Sequence, residues 1–265
     1  MSQPTPYTPP VAGPGSDGRL VIGFDLDMTL IDSRRSIGAA MTALAAETGV
    51  PIDVEHIVST LGPPLEIALA PWFAGHDLDA AVVRFREFHG ELLHLTGAMP
   101  GAVAAVAAVH DLGGRVVVVT AKFEPHAWTS LQTVGISPDV VVGWLFGAAK
   151  AGALLEHYAQ AYVGDHVADV AAAKGAGIVS VGVATGSTSP DSLAESGADV
   201  VLPDLLAFPE WLRGFIEISR MREVSEGDRV TGGDRGPGVA RAGVGRVARA
   251  GVGPGAGVEE GTGNP

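Results

Sequence analysis

The sequence predicts an α/β fold, a doubly wound parallel sheet with a small all-helical cap domain inserted after the first strand. Three observations carry this expectation. Between residues 19 and 220, short β-branched runs alternate with amphipathic stretches, the pattern of repeated strand–helix crossovers. Arg115–Thr120 (RVVVVT) is nearly continuous valine, as a strand buried on both faces requires. The alternation breaks once, between Asp32 and Gly97, where only helical periodicity is found.

The elements follow in order. Residues 1–18 are rich in Pro, Gly and Ser and read as a flexible arm; a basic region followed by an apolar one, the mark of a signal peptide, is lacking there. Leu20–Phe24 is the first strand. Residues 34–97 then form the helical insertion, with Ser36–Thr48 and Leu78–Leu95 its clearest helices and shorter pieces at Val54–Leu61 and Leu65–Phe73. An insertion this long cannot be an ordinary crossover, so it reads as a cap on the carboxyl edge of the sheet, where ligands bind in open α/β folds. The core comprises residues 19–33 and 98–220. Its later strands are Arg115–Thr120, Val140–Val142, Ala161–Val163, Ile178–Val183 and Asp199–Leu202. Helices are expected at Gly101–Leu112, Glu124–Val134, Ala149–Tyr158, Val167–Gly175 and Asp191–Ser196. Gly113–Gly114, Gly135 and Gly177 mark helix stops. Residues 221–265 become Gly-rich and lose hydrophobic periodicity, which predicts a disordered tail.

Composition narrows the partners. The chain has 265 residues, a formal net charge of −13 and no basic run, so nucleic acid and anionic membranes are poor partners. No apolar stretch approaches the ~20 residues that span a bilayer. Cysteine is absent, which removes disulfides and thiolate chemistry and agrees with a reducing, cytoplasmic setting.

Four segments carry chemistry. In Phe24-Asp25-Leu26-Asp27-Met28-Thr29-Leu30, strand alternation puts Asp25 and Asp27 on one side. Two such close carboxylates repel each other unless a cation or proton separates them. Thr120, ending the valine strand and followed by Ala121 and Lys122, offers a hydroxyl to an oxyanion. Lys150 opens a helix in a chain with only three lysines, Lys122, Lys150 and Lys174; a compact point charge suits phosphate there. In Gly164-Asp165-His166-Val167-Ala168-Asp169, Asp165 and Asp169 follow a strand, with oxygen donors that suit Mg²⁺. Arg34 and Arg35, at the entrance to the insertion, are candidates to reach a substrate anion. Trp72 and Phe73 read as cap core, and His56, His89, His94 and His126 as structural or surface residues.

In this order, each at the carboxyl end of a strand, these segments resemble the haloacid dehalogenase-like hydrolase superfamily, and the whole looks like its phosphoglycolate phosphatase-like members with a helical cap. The resemblance covers roughly residues 19–215. It implies a Mg²⁺-dependent phosphatase acting on a small phosphorylated metabolite through an aspartyl phosphate. Asp25 would be the nucleophile, Asp27 the general acid/base, and Thr120 and Lys150 the phosphate ligands. Asp25, Asp27 and Asp165 would form the metal site, with Asp169 in it or behind it. The chain departs from the family pattern at Met28 (usually Gly), at Ala121 (commonly Asn) and after Lys150, where Pro is missing; Lys122 is therefore an alternative phosphate lysine. A phosphosugar mutase of the same fold and a non-catalytic phosphate-binding relative stay open as alternatives. A monomer or a homodimer is expected.

Overall fold

A computed structural model describes residues 18–231. The chain divides at Arg222/Glu223 into two compact units, and the fold and site below belong to the first. The described elements run β1 (Val21–Phe24), β2 (Ile31–Asp32), α1 (Arg34–Thr48), α2 (Val54–Ser59), α3 (Leu65–Leu69), α4 (His76–Leu92) and β3 (Gly97–Ala98). They continue with α5 (Ala102–Asp111), β4 (Arg115–Val119), α6 (Glu124–Thr133), β5 (Val140–Val142), α7 (Lys150–Glu156) and β6 (Ala161–Gly164). The last are α8 (Val167–Ala176), β7 (Val179–Val183), α9 (Pro190–Glu195), β8 (Val200–Leu202) and α10 (Phe208–Thr231).

Six strands form one parallel sheet in the order β5-β4-β1-β6-β7-β8. The two-residue side-chain period of a strand explains why both faces are covered. Ile22 and Phe24 of β1 and Val116 and Val118 of β4 pack with Ala105, Leu131 and Phe208 of the helices on one face. Val21, Val117 and Val119 point the other way, onto Leu154 of α7 and Ala172 and Ala173 of α8. The doubly wound sheet read from the valine run is therefore present.

β1 lies in the middle of the sheet. Its crossover leads to β4 on one side, and the chain later returns to β6 on the other. The strand order thus reverses between β1 and β6, and a crevice opens beyond their carboxyl ends. Odd-numbered positions of β1 face α7 and α8, so the residue after Phe24 points toward those helices.

Between β2 and β3 the chain is helical, with a core of its own made by Met41, Leu44, Ile57, Leu69, Phe73 and Phe85. Trp72 packs against it. β2 and β3 pair antiparallel, Ile31 with Ala98 and Asp32 with Gly97, which draws the two ends of the insertion together. This ribbon is not legible in the sequence, since two-residue strands carry no period. Helix α10 was not anticipated either. It runs to Thr231, past the expected boundary at residue 220, because Phe208 and Leu212 are anchored in the core and the following residues contain no helix breaker of the Pro type. The expected arm (residues 1–17) and the rest of the expected tail (residues 232–265) lie outside the described residues. Among the described residues no helix is long and apolar enough to cross a membrane.

Phe208 is fully buried with its ring 5.2 Å from that of Phe24. We predict that Phe208→Ala lowers the unfolding free energy by about 3–5 kcal/mol, read from the urea midpoint. A loss below about 1 kcal/mol would separate α10 from the core.

Candidate active site

The sheet topology brings four strand ends to one crevice. Asp25 follows β1, Thr120 follows β4, Lys150 opens α7, and Asp165 follows β6 with Asp169 one helical turn beyond. Asp25 is fixed at the backbone, where its N–H donates to the Val163 carbonyl at 2.8 Å. Its side chain points as strand parity requires, toward α7 and α8.

Lys150 is the centre of this cluster. The residue is only 2% exposed, and its ammonium donates to Asp25 Oδ1 at 2.8 Å, Asp169 Oδ1 at 2.7 Å and the Tyr162 hydroxyl at 2.9 Å. A lysine has three donors, so all of them are used. Burial alone would lower the Lys150 pKa; the charges of Asp169 and Asp25 outweigh it and hold the group protonated, well above its ordinary range. Tyr162 in turn donates to the Val119 carbonyl at 2.6 Å, which ties the ion cluster to β4.

Asp165 and Asp169 are buried beside Asp25. One carboxylate oxygen from each of the three lies within 4.8 Å of the others. Asp165 Oδ1 accepts from the Thr29 hydroxyl at 3.0 Å, and Asp169 Oδ2 accepts from the His166 N–H at 3.1 Å. Asp165 Oδ2 is buried and has no partner among the described residues. Two glycines make this density possible. A Cβ on Gly164 would come within 2.5 Å of the Asp169 carboxylate, and one on Gly186 would overlap Asp165 Oδ2. Burial pushes the Asp25 carboxyl up to about 7, against the pull of Lys150 and with help from Asp169 and Asp27. Burial, with Asp25 and Asp169 adding to it, pushes Asp165 well above the usual carboxylate range. These features, an unpartnered carboxylate oxygen and clustered acids with more negative charge than Lys150 offsets, fit a hard divalent cation with oxygen ligands.

Asp27 sits on the crevice side, where the Lys122 ammonium donates to its Oδ1 at 3.0 Å. Thr120 is buried, and its Oγ1 accepts from the Lys122 N–H at 3.2 Å. The two candidate lysines therefore divide between the two aspartates, Lys150 behind Asp25 and Lys122 on Asp27. Met28 adopts a left-handed backbone (φ 64°), the conformation that glycine takes at no steric cost. Its N–H donates to the Ile31 carbonyl at 2.8 Å, and its own carbonyl accepts from Thr185 Oγ1 at 2.6 Å. These bonds hold the turn that carries Asp27.

Asp25, Asp27, Thr120 and Lys122 line a cavity of about 100 Å³ whose other walls include α1, α3, α4 and the loop Leu61–Pro64. Arg34 does not belong to it. Its guanidinium is half exposed and bonded to Asp32 at 2.8 and 2.6 Å, held by a local bidentate pair instead of facing the crevice. No role for Tyr162 or Thr29 is read from the sequence; His89 and His126, expected to be structural or surface residues, meet through their Nδ1 atoms at 3.2 Å across the insertion and the core. A tyrosine inside an otherwise apolar strand was the available signal for Tyr162, since a buried hydroxyl needs a partner.

A sheet with a switch-point crevice, two aspartates after its central strand, and a buried lysine among further acids defines an α/β protein with a carboxylate-centred site. Comparison with known proteins agrees. The model of the haloacid dehalogenase-like hydrolase family matches residues 22–174, and a second hydrolase-like model matches residues 144–208. The phosphoglycolate phosphatase of Pasteurella multocida is 29% identical over 212 residues, spanning 69% of this chain and 94% of that protein. The tyrosine-protein kinase PtkA of Mycobacterium tuberculosis is 29% identical over 209 residues, 72% of this chain and 70% of that protein. A solved structure from Haemophilus somnus, described as a predicted phosphoglycolate phosphatase, has the same fold, with a TM-score of 0.64 at 21% identity over 73% of this chain and 98% of that one. The chain belongs to the haloacid dehalogenase-like hydrolase family. Within it the chain is a phosphoglycolate phosphatase-like member, and these relationships support a phosphatase.

Removing Lys150 would leave two buried carboxylates facing each other. Lys150→Met is expected to cost about 3–5 kcal/mol in urea unfolding at neutral pH without divalent cation. A change below about 1 kcal/mol would show that the ammonium is not what holds Asp25 and Asp169 together.

Proposed function

We propose that the chain hydrolyses a small phosphate monoester, phosphoglycolate-like or a sugar phosphate, with Asp25 as the acceptor of the phosphoryl group. The observation that carries this reading is the division of labour between the two aspartates. Both line the cavity, but Asp25 is buried and held by Lys150, while Asp27, two residues on, is bonded to Lys122.

Asp25, Asp165 and Asp169 would hold Mg²⁺, with Asp27 beside them. Bound there, the cation would offset the negative charge of the phosphate and of Asp25. The residues account for the rest. An Asp25 carboxylate oxygen attacks phosphorus, the ester P–O bond breaks, and an aspartyl phosphate forms. Asp27 gives its proton to the departing alcohol oxygen. As a carboxylate, it then takes a proton from a water that attacks phosphorus. The bond to Asp25 breaks, inorganic phosphate leaves, and both aspartates return to their starting states.

Thr120 accepts from the Lys122 N–H, and no described acceptor takes its hydroxyl hydrogen, which leaves that hydrogen for a phosphate oxygen. Lys150 keeps Asp25 in place and balances its charge; all its donors are committed, so a phosphate contact requires release of one of them. Helices α1–α4 serve as a cap that limits bulk water while the ester reacts with Asp25 and leaves room for the one water of the second step. Hydrolysis is favoured over a mutase by the likeness to phosphoglycolate phosphatases; release of inorganic phosphate without a bisphosphate primer separates the two.

Asp25→Asn should abolish Mg²⁺-dependent release of inorganic phosphate across a panel of sugar phosphates, phosphoglycolate and nucleotides, while circular dichroism stays unchanged. Wild-type turnover should disappear with EDTA and return with Mg²⁺. Wild-type-like rates in the variant would remove Asp25 from this role.

A further inference from the structure

Charge is unevenly distributed in the cavity. Beyond the reacting aspartates much of its wall is apolar, with Ile37, Met41, Ile57, Leu65, Ala68 and Phe85 on the helices of the insertion. The cationic side chains that reach it are Lys122 and Arg86, and both are engaged. Lys122 is on Asp27 at 3.0 Å. The Arg86 guanidinium pairs with Glu66 at 2.7 Å, lies 4.3 Å from the centre of the Trp144 ring and 5.6 Å from that of Phe123. The Glu66 carboxylate offsets the charge of this arginine at the cavity edge, and the aromatic faces hold its guanidinium in place.

The two histidines on the wall add no charge. Burial, with Lys122 and the neighbouring histidine, lowers the His89 pKa to about 2; burial, with Lys122 and Arg86, lowers that of His126 to about 4. Their rings touch each other, and His89 Nε2 is 3.3 Å from Ser36 Oγ. A carboxylate or second phosphate placed in this part of the cavity would lose its water and find no unpaired cation among the described residues, which is strongly unfavourable. Methylenes placed there gain from burial.

We propose that the preferred substrate is the phosphate monoester of an uncharged, largely apolar alcohol, with the apolar wall on α1–α4 and the Arg86–Glu66 pair excluding a second anionic group. This rests on the phosphatase reading above and, within small phosphate monoesters, moves the substrate class away from both phosphoglycolate and sugar phosphates. Glu66 is the specificity-determining residue, because its carboxylate cancels the charge of Arg86 where an entering anion would meet it.

The test is a kcat/KM series with Mg²⁺ over ethyl, propyl and butyl phosphate, whose alcohols leave with nearly equal ease, and phosphoglycolate, similar in size to propyl phosphate. In the wild type, kcat/KM should rise about fourfold per methylene, the ~0.8 kcal/mol of a buried methylene. Propyl phosphate should exceed phosphoglycolate at least about tenfold. Glu66→Gln should shift the phosphoglycolate-to-propyl ratio toward the anion by about tenfold, mostly through KM. A purely structural role for Glu66 would lower both esters together and leave that ratio unmoved, which would overturn the assignment. Phosphoglycolate preferred by the wild type, or no response to chain length, would overturn the substrate class and leave the phosphatase reading standing. No phosphate release from these esters, with release from sugar phosphates, would overturn this inference alone; no release from the sugar phosphates and nucleotides either would overturn the phosphatase reading as well.

Discussion

The Lys150 ammonium among buried carboxylates is the interaction on which the rest of the site depends. Asp25, Asp165 and Asp169 come within reach of one another because three chain segments meet beyond β1 and β6. Left alone, such acids would take up protons or force the segments apart. Lys150 offsets part of that charge through donors to Asp25 and Asp169, and Tyr162 anchors it to the backbone of β4. The remaining negative charge suits a divalent cation. Folding and chemistry therefore share one constraint: the same buried ions that burden the core make a carboxylate able to meet a phosphate.

Much of this was legible in the sequence, for physical reasons. Strands buried on both faces leave continuous apolar runs, so the valine run and the Leu20–Phe24 segment announced β4 and β1. The parity of β1 followed from them, and with it the side to which Asp25 turns. The placement of Thr120 and Asp165 followed from where such runs stop. Lys150 was the harder case, because a lysine at the start of a helix is ordinarily solvated; only the cluster of acids across the crevice explains why it is buried.

What the sequence hid lies in long-range pairing. The ribbon of β2 and β3 has too few residues for any period and exists because the ends of the insertion must meet. Tyr162 reads as one more apolar strand residue until Lys150 and the Val119 carbonyl appear on either side of its hydroxyl. The bond between Lys122 and Asp27 joins residues 95 positions apart, and nothing local encodes it. Arg34 failed in the opposite sense: its neighbour Asp32 is near enough in sequence to claim it, and a local bidentate pair leaves little for a distant substrate.

The most direct measurement is the identity of the side chain that carries phosphorus during turnover. Wild-type enzyme turning over a radiophosphate-labelled ester would be quenched in acid and digested, and the labelled peptide mapped. The expected result is label on the peptide containing Asp25, removed by hydroxylamine as an acyl phosphate must be. Label on a histidine or another peptide, with turnover proceeding normally, would contradict a carboxylate acceptor in this crevice.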